Sequence, residues 1–446
     1  MRNRGKRTKS LIVAFFATFL WGGITVGPSI ADPITYSDMG YTLTDIGTLG
    51  GSHSVIDDVN DKGQVVGRST PAGDLVLHAF LYSKGEMTDL GTLGGYASFP
   101  VAINEKGQVI GVSVTSGNMY YHAFLYSNGQ MTDMGTLGGN YSEPTAINKG
   151  GQVIGWSSTA GDSWRHGFLY SDGIMTDLGT LGELYSEASD INDKGQVVGF
   201  YQDVEDGLPH AFLFANGNKT DLSLGGSISY ASAINNSGQV IGGSTTAGDL
   251  YYHAFLYNNG EMTDLGTLGD DYSFPVAINE KGQVIGVFSI TIIPPPYPYI
   301  IEHCFLYSDG KMTDLGTLGG DWCYPQAINN KGQVIGWSDT AGNLTSNAFL
   351  YSDGKMTDLG TLGGDWSTPY YITEKGQVIG TSATTGNLNL HTFLYSNGQL
   401  TDLTQVVFDL FLVDGFYADG IHHGQIFGDG IWDGYWSHAY ILTIPK

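Results

Sequence analysis

The side chains best able to do chemistry recur along the whole chain. A histidine stands at His78, His122, His166, His210, His253, His303, His391 and His438, with Asn347 in the one missing place. Eleven residues after each of the first seven comes an aspartate: Asp89, Asp133, Asp177, Asp221, Asp264, Asp314 and Asp402. Histidine beside aspartate invites a general-base or metal-site reading. Catalysis needs one constellation, however, and this chain writes near-copies of the same one. The pairs are therefore expected to be structural, each orienting two strands and satisfying a half-buried carboxylate.

Other candidates are weaker still. The Asn-x-x-Gly turns, Asn104 to Gly107 and its relatives, have the outline of a calcium loop. Their middle positions hold Glu-Lys, Asp-Lys or Asn-Lys, and a lysine opposes a bound cation, so a plain turn with left-handed glycine is expected. His422 and His423, near Asp419, Asp429 and Asp433, are the one cluster of metal-type residues. Neighbours on a strand face opposite ways, so no metal is expected there. No serine sits in a G-x-S-x-G elbow, neither cysteine has a dedicated histidine, and no carboxylate pair stands out among the 44 acids. No cofactor is expected. Six aromatics follow the TLGG element or its variants: Tyr96, Tyr141, Tyr185, Tyr272, Trp322 and Trp366. Aligned around one rim they could stack on sugar rings or grip a partner; wedged between sheets they would be ordinary packing.

The elements that carry these residues are short strands. In His122 to Gly139, HAFLYSNGQMTDMGTLGG, the strand alternates with period 2 and Asn128-Gly129 signals a tight hairpin. A two-residue turn there sets Phe124 opposite Asp133 and makes His122 and Asp133 diagonal neighbours on one face. A second block, PTAINKGGQVIGW, follows with the same strand–turn–strand grammar. The TDLG aspartate recurs nine times, from Asp45 to Asp402, at spacings of 44 residues except for one of 43 and one of 50. Two hairpins per unit of about 44 residues is the size of a four-stranded propeller blade. The expectation is an all-β propeller of nominally nine blades. The chain opens on a TDIG strand and finishes on an HAY strand, so the last strand is expected to complete the first blade and close the ring. Residues 289–302 carry an insertion with four prolines, expected as an exposed loop, and residues 403–446 form an atypical closing repeat.

The recurring His-Ala-Phe, TDLGTLGG and INxxGQVIG elements, with the terminal HAYILTIPK, resemble the bacterial extracellular HAF-repeat family over nearly the whole chain. The resemblance implies a secreted or surface-associated, propeller-like protein and offers no catalytic residues.

Charge and leader agree with that address. Arg2, Arg4, Lys6, Arg7 and Lys9 precede an apolar run and a small-x-small pattern at Ser29-Ile30-Ala31, so residues 1–31 read as a secretory signal peptide and 32–446 as one repeat domain. After cleavage no membrane span is expected. The net charge is −25, and without the leader 14 basic residues face 44 acidic ones, a net of −30. So acidic a surface repels phosphate backbones and excludes nucleic acid as a partner. Cys304 and Cys323 are free to form a bridge in an oxidising compartment, and it would be local. The function expected is a secreted, non-enzymatic binding or structural scaffold engaging a glycan or an extracellular protein. The alternative is an extracellular polysaccharide-degrading hydrolase or lyase.

Overall fold

A computed structural model describes residues 34–445 except 39, 118, 163, 180–183, 293–298 and 433–435. The signal-peptide segment and Asp433 thus lie outside the described residues. Most of the described chain is strand, paired almost throughout in antiparallel fashion. One unit runs through Gly50–Val59, Val65–Pro71, His78–Ser83 and Glu86–Asp89, each strand pairing with the next. Five such units stand as separate sheets, and three more are joined into a twelve-stranded sheet by single parallel bridges, Glu302 to Trp322 and Ser346 to Trp366. Those bridges show that successive units run in the same sense.

The turn chemistry explains the hairpins. Asn128 and Gly129 both have positive φ, 52° and 81°, which suits the right-handed twist of the flanking strands. The resulting register sets Asp133 opposite Phe124. The glycine of QVIG lies opposite the phenylalanine of HAF, and a Cβ on Gly111 would stand 2.2 Å from the Phe99 carbonyl oxygen and 2.7 Å from the Phe124 ring. Glycine is required there because the neighbouring strand and the ring occupy the space.

The core lies between sheets rather than within one. Val66, Ala79 and Leu90 of one unit pack on Ile103, Val109 and Phe124 of the next, and Ile110, Ala123 and Met134 pack on Val153, Phe168 and Tyr170. Both faces of each HAF strand are buried this way. Each phenylalanine placed there contributes about 1.5–3 kcal/mol of transfer free energy.

Hydrogen bonds stitch the same junctions. The amide of Ala123 donates to Ser142 Oγ at 2.9 Å, and that hydroxyl donates to the Gly135 carbonyl at 2.6 Å. Equivalent amide–serine bonds recur at Ala79–Ser98, Gly167–Ser186, Ala211–Ser229, Ala254–Ser273, Ala348–Ser367 and Ala439–Ser54. Before the closing repeat the Thr392 amide donates to Thr404 Oγ1 instead, and one further junction is covalent. Cys304 takes the alanine position and Cys323 the serine position, and they form a disulfide with Cα atoms 5.3 Å apart. The bridge is therefore not local to one unit; it joins neighbouring sheets where the others use a hydrogen bond.

The last strand, Trp436–Thr443, pairs with Tyr41–Asp45, placing Leu442 opposite Leu43 in a five-stranded sheet. That sheet has a member the repeat pattern did not suggest, Ile34–Asp38, which covers the outer edge of Tyr41–Asp45. The closing repeat also holds a helix, Leu403–Phe411, capped by Asp402 accepting from the Gln405 amide. It buries Leu403, Val407 and Phe411 on one stripe. The expected loop at residues 289–302 is instead largely a hairpin extension: Ser289 pairs with Glu302 and Ile292 with Tyr299. β-Branched Ile290, Thr291 and Ile292 carry the ladder, and the four prolines fall outside the described residues.

Candidate functional site

Six of the seven expected histidine–aspartate pairs sit diagonally across from one another and touch. His78, His122, His166, His253, His303 and His391 place Nδ1 between 2.7 and 3.1 Å from the carboxylates of Asp89, Asp133, Asp177, Asp264, Asp314 and Asp402. Where Asn347 replaces histidine, its Nδ2 donates to both oxygens of Asp358 at 3.0 Å. All of these aspartates but Asp402 also accept from an amide two residues on, as Asp133 does from Gly135 at 2.7 Å. Burial raises the Asp177 and Asp314 carboxyls, but bonds from the histidine and the glycine amide outweigh it and leave both below the usual range. One expected pair is not made. His210 turns to Asp206, 3.1 Å away, while Asp221 accepts from the Tyr201 hydroxyl. The loop 203–208, with Asp206 four residues before His210, offers a nearer carboxylate. The arrangement is a repeated series of like contacts along the chain, broken at His210.

A second repeated network runs through the Asn turns. Asn148 Oδ1 accepts from the Gly151 and Gln152 amides, and its Nδ2 donates to Gln152 Oε1 and to the Asn192 carbonyl of the next unit at 3.0 Å. The rung repeats from Asn60 through Asn104, Asn192, Asn235, Asn279 and Asn329, whose Nδ2 reaches the Thr373 carbonyl. At Thr373 the amide ladder stops. Its hydroxyl still accepts from Lys375 and Gln377, but threonine has no NH2 group to pass on. Across the final seam His422 takes the asparagine's place and bonds the Asp61 carbonyl.

Where the amide ladder stops a cavity of about 500 Å³ opens. Asp61, Tyr371, Thr373, Glu374, Lys375 and His422 line it, over a floor of Ile328, Ile372 and Ile421. His422 and His423 lie with ring centroids 4.0 Å apart, because His423 leaves the strand at φ 50° rather than continuing it to the opposite face. Among the described residues no three His, Cys, Asp and Glu side chains gather as metal ligands. Asp429 is set apart by burial, which, with the nearby Asp419 charge, pushes its carboxyl well above the ordinary range. Its Oδ1 accepts from the Ile56 amide at 2.8 Å.

The antiparallel order puts the TLGG connections and the loops before HAF at the end of the sheets opposite the Asn turns. The six aromatics stand there, half packed and half open. Tyr141 meets Tyr120 of the preceding unit edge-on at 5.8 Å, and Tyr272 stacks on Tyr252 at 5.7 Å. Tyr96 shares a hydroxyl contact with Tyr121, whose phenol is pushed up to about 12 by that bond and by burial. Tyr185 donates to Glu187 and, chiefly through burial, is also raised to about 12. Trp322 and Trp366 hold the two inter-sheet bridges through their backbones. Tyr96, Tyr141, Tyr272 and Trp322 keep more than a third of their surface exposed; Tyr185 and Trp366 keep less.

Sequence reasoning missed the larger part of this rim. At the tips of the loops before the HAF strands stand Leu75, Met119, Leu250, Leu344 and Leu388, between 66% and 91% exposed. Trp164 occupies the neighbouring position in its unit and is 48% exposed. The tips are clamped. Asp74, Asp162, Asp249, Asn343 and Asn387 adopt positive φ, and each side chain accepts an amide hydrogen bond of 2.6–2.9 Å from the strand after TLGG. Bonds from Ser158 and the Asn140 amide hold the Asp162 carboxyl below its usual range. The recurrence of a lone apolar residue after Asp or Asn was the available signal.

No protein-family profile and no curated protein matches the chain. Solved structures resemble it in fold. Dipeptidyl peptidase 4 from Porphyromonas gingivalis is 9% identical with a TM-score of 0.50, over 85% of this chain and 64% of its own length. The β-propeller domain of the trilobed protease from Pyrococcus furiosus is 11% identical with a TM-score of 0.39, over 69% of this chain and 98% of its own. Acylaminoacyl peptidase from Pyrococcus horikoshii is 13% identical with a TM-score of 0.36, over 73% of this chain and 56% of its own. The chain thus spans less than two thirds of either peptidase. The likeness is of an all-β, propeller-like fold and says nothing of activity. No helix among the described residues is long and apolar enough to cross a membrane.

Proposed function

We propose that this is a secreted, non-enzymatic scaffold of the HAF-repeat kind: a closed propeller of nine blades that presents an apolar rim to another extracellular protein. The rim carries the reading. Five aliphatic side chains and a tryptophan, at like places in their units, are held out in solvent on hydrogen-bonded loops, beside partly exposed tyrosines and tryptophans. Exposed apolar groups recurring at one end of a fold mark an interaction surface. Aliphatic tips offer nothing to sugar hydroxyls, which favours a protein over a glycan. A net charge of −30 without the leader, 14 basic residues against 44 acidic ones, favours a partner with basic residues around the contact. The His–Asp pairs and the Asn ladder serve as internal joints of this scaffold.

The test is a binding screen against extracellular proteins and a glycan array, using the chain from residue 32. Two variants accompany it, Leu75→Ser/Leu250→Ser/Leu344→Ser/Leu388→Ser and Tyr141→Ala/Trp322→Ala/Trp366→Ala. Binding to a protein that disappears in the leucine variant, with unchanged melting, supports the reading. Binding confined to the glycan array, or insensitive to both variants, contradicts it.

One observation favours a second reading, an extracellular hydrolase or lyase acting on polysaccharide. The cavity at the closing repeat breaks the repetition and brings carboxylates, a lysine and an imidazole to one place. Release of reducing ends or unsaturated products from polysaccharide would establish it.

A further inference from the structure

We infer that the cavity where the amide ladder stops is a carbohydrate-binding site, sized for one or two sugar rings. This inference rests on the cavity and not on the apolar rim, which lies at the opposite end of the sheets.

The cavity has an identifiable origin. Seven consecutive turns pass an asparagine Nδ2 to the carbonyl of the following turn. Thr373 is shorter by the amide that would continue the series, and the next turn, Ile421 to Gly424, is one residue shorter than its relatives. A cavity of about 500 Å³ lies at this junction, within the volume range of small-molecule sites.

The lining selects the ligand class. Asp61 and Glu374 supply acceptors, Lys375 and the Gln377 amide supply donors, and Tyr371 with three isoleucines supplies an apolar wall. An apolar ligand would strip water from the two carboxylates and the ammonium without replacing their hydrogen bonds. A phosphate-bearing ligand would meet two carboxylates against one lysine in a strongly acidic protein. A sugar satisfies both halves, since its hydroxyls donate and accept while its C–H faces lie on an aromatic ring.

Calorimetric titration of the chain from residue 32 with maltose, cellobiose, chitobiose, xylobiose and digalacturonate tests this. At least one disaccharide is expected to bind with a Kd of roughly 1 mM or tighter. Thr373→Asn, which restores the amide and fills the gap, should weaken that binding roughly 10-fold or more without lowering the melting temperature. Lys375→Ala, at an exposed position, should weaken it in a fold that is not otherwise disturbed. The four-leucine rim variant should bind the sugar as the parent does. Silence across the whole panel overturns the inference, and so does a well-folded Thr373→Asn protein that binds as the parent does.

Discussion

His438 Nδ1 lies 2.7 Å from Asp45 Oδ2, joining residues 393 positions apart in the chain. The contact repeats the one between His122 and Asp133, yet its surroundings differ. The Asp45 side chain is 4% exposed, whereas Asp133 is 42% exposed. The same joint that decorates other units is buried at the junction of the two chain ends.

Burial sets what each joint is worth. Removing the imidazole with His438→Ala leaves a carboxylate enclosed without its partner, and a loss of about 3 kcal/mol is expected. His122→Asn imitates the natural Asn347–Asp358 pair at a solvent-facing carboxylate, and a loss below about 1 kcal/mol is expected. Urea unfolding with matched m-values measures both; equal losses would contradict this ranking.

The Asn turns give a second contrast. Asn148→Ala removes two donor and two acceptor bonds at a buried site and should cost about 3 kcal/mol. The four-bond set explains why asparagine rather than aspartate or serine recurs there. A chemical-denaturation midpoint that stays at the parent value would show the ladder to be incidental.

Much of this was legible in the residues, and the limits have physical causes. Asn128-Gly129 and the alternation around it fix turn, register and the His122–Asp133 diagonal because hairpin geometry is local. The inter-sheet disulfide and the Asn rungs join residues 19 or 43–50 positions apart, and which turns stack is a property of assembled sheets. The helix at Leu403–Phe411 had its signals, an Asp402 cap and apolar residues at positions 403, 407 and 411, hidden inside a strand repeat. His210 followed the closer Asp206 because a local loop outcompeted the repeated partner. Leu75 and its counterparts look like ordinary turn neighbours until the side-chain clamp shows that they are held outward.

The disulfide can be separated from the joint it replaces. Closing a loop of 19 residues should contribute about 3 kcal/mol, so reduction should lower the melting temperature. Cys304→Ala/Cys323→Ser recreates the amide–serine bond of the other junctions and should recover about 1 kcal/mol relative to Cys304→Ala/Cys323→Ala. Differential scanning calorimetry of the three proteins decides it; identical melting of both variants would rule out the substitution logic.

Opposite carboxyl shifts predict a pH signature. The lowered Asp177 and Asp314 add stability above the ordinary carboxyl range that is lost as pH falls through their folded values. Asp429 is raised, so its neutral form suits the fold, and stability falls as pH climbs from the ordinary carboxyl range through its folded value. Asp429→Asn keeps an acceptor for the Ile56 amide without the charge. It should therefore melt above the parent at neutral pH, with the advantage vanishing at strongly acidic pH. A variant that melts lower than the parent at neutral pH would show that the ionised carboxylate is the stabilising form.

Everything proposed for the rim and the cavity depends on the chain ends joining to make the units equivalent around a closed ring. The most direct test is thermal unfolding of the chain from residue 32 with and without His438 to Lys446. Closure predicts that the truncated protein loses its single cooperative transition or melts lower by at least about 5 °C, because two sheet edges open at once. An unchanged melting temperature with one sharp transition would contradict closure by the last strand.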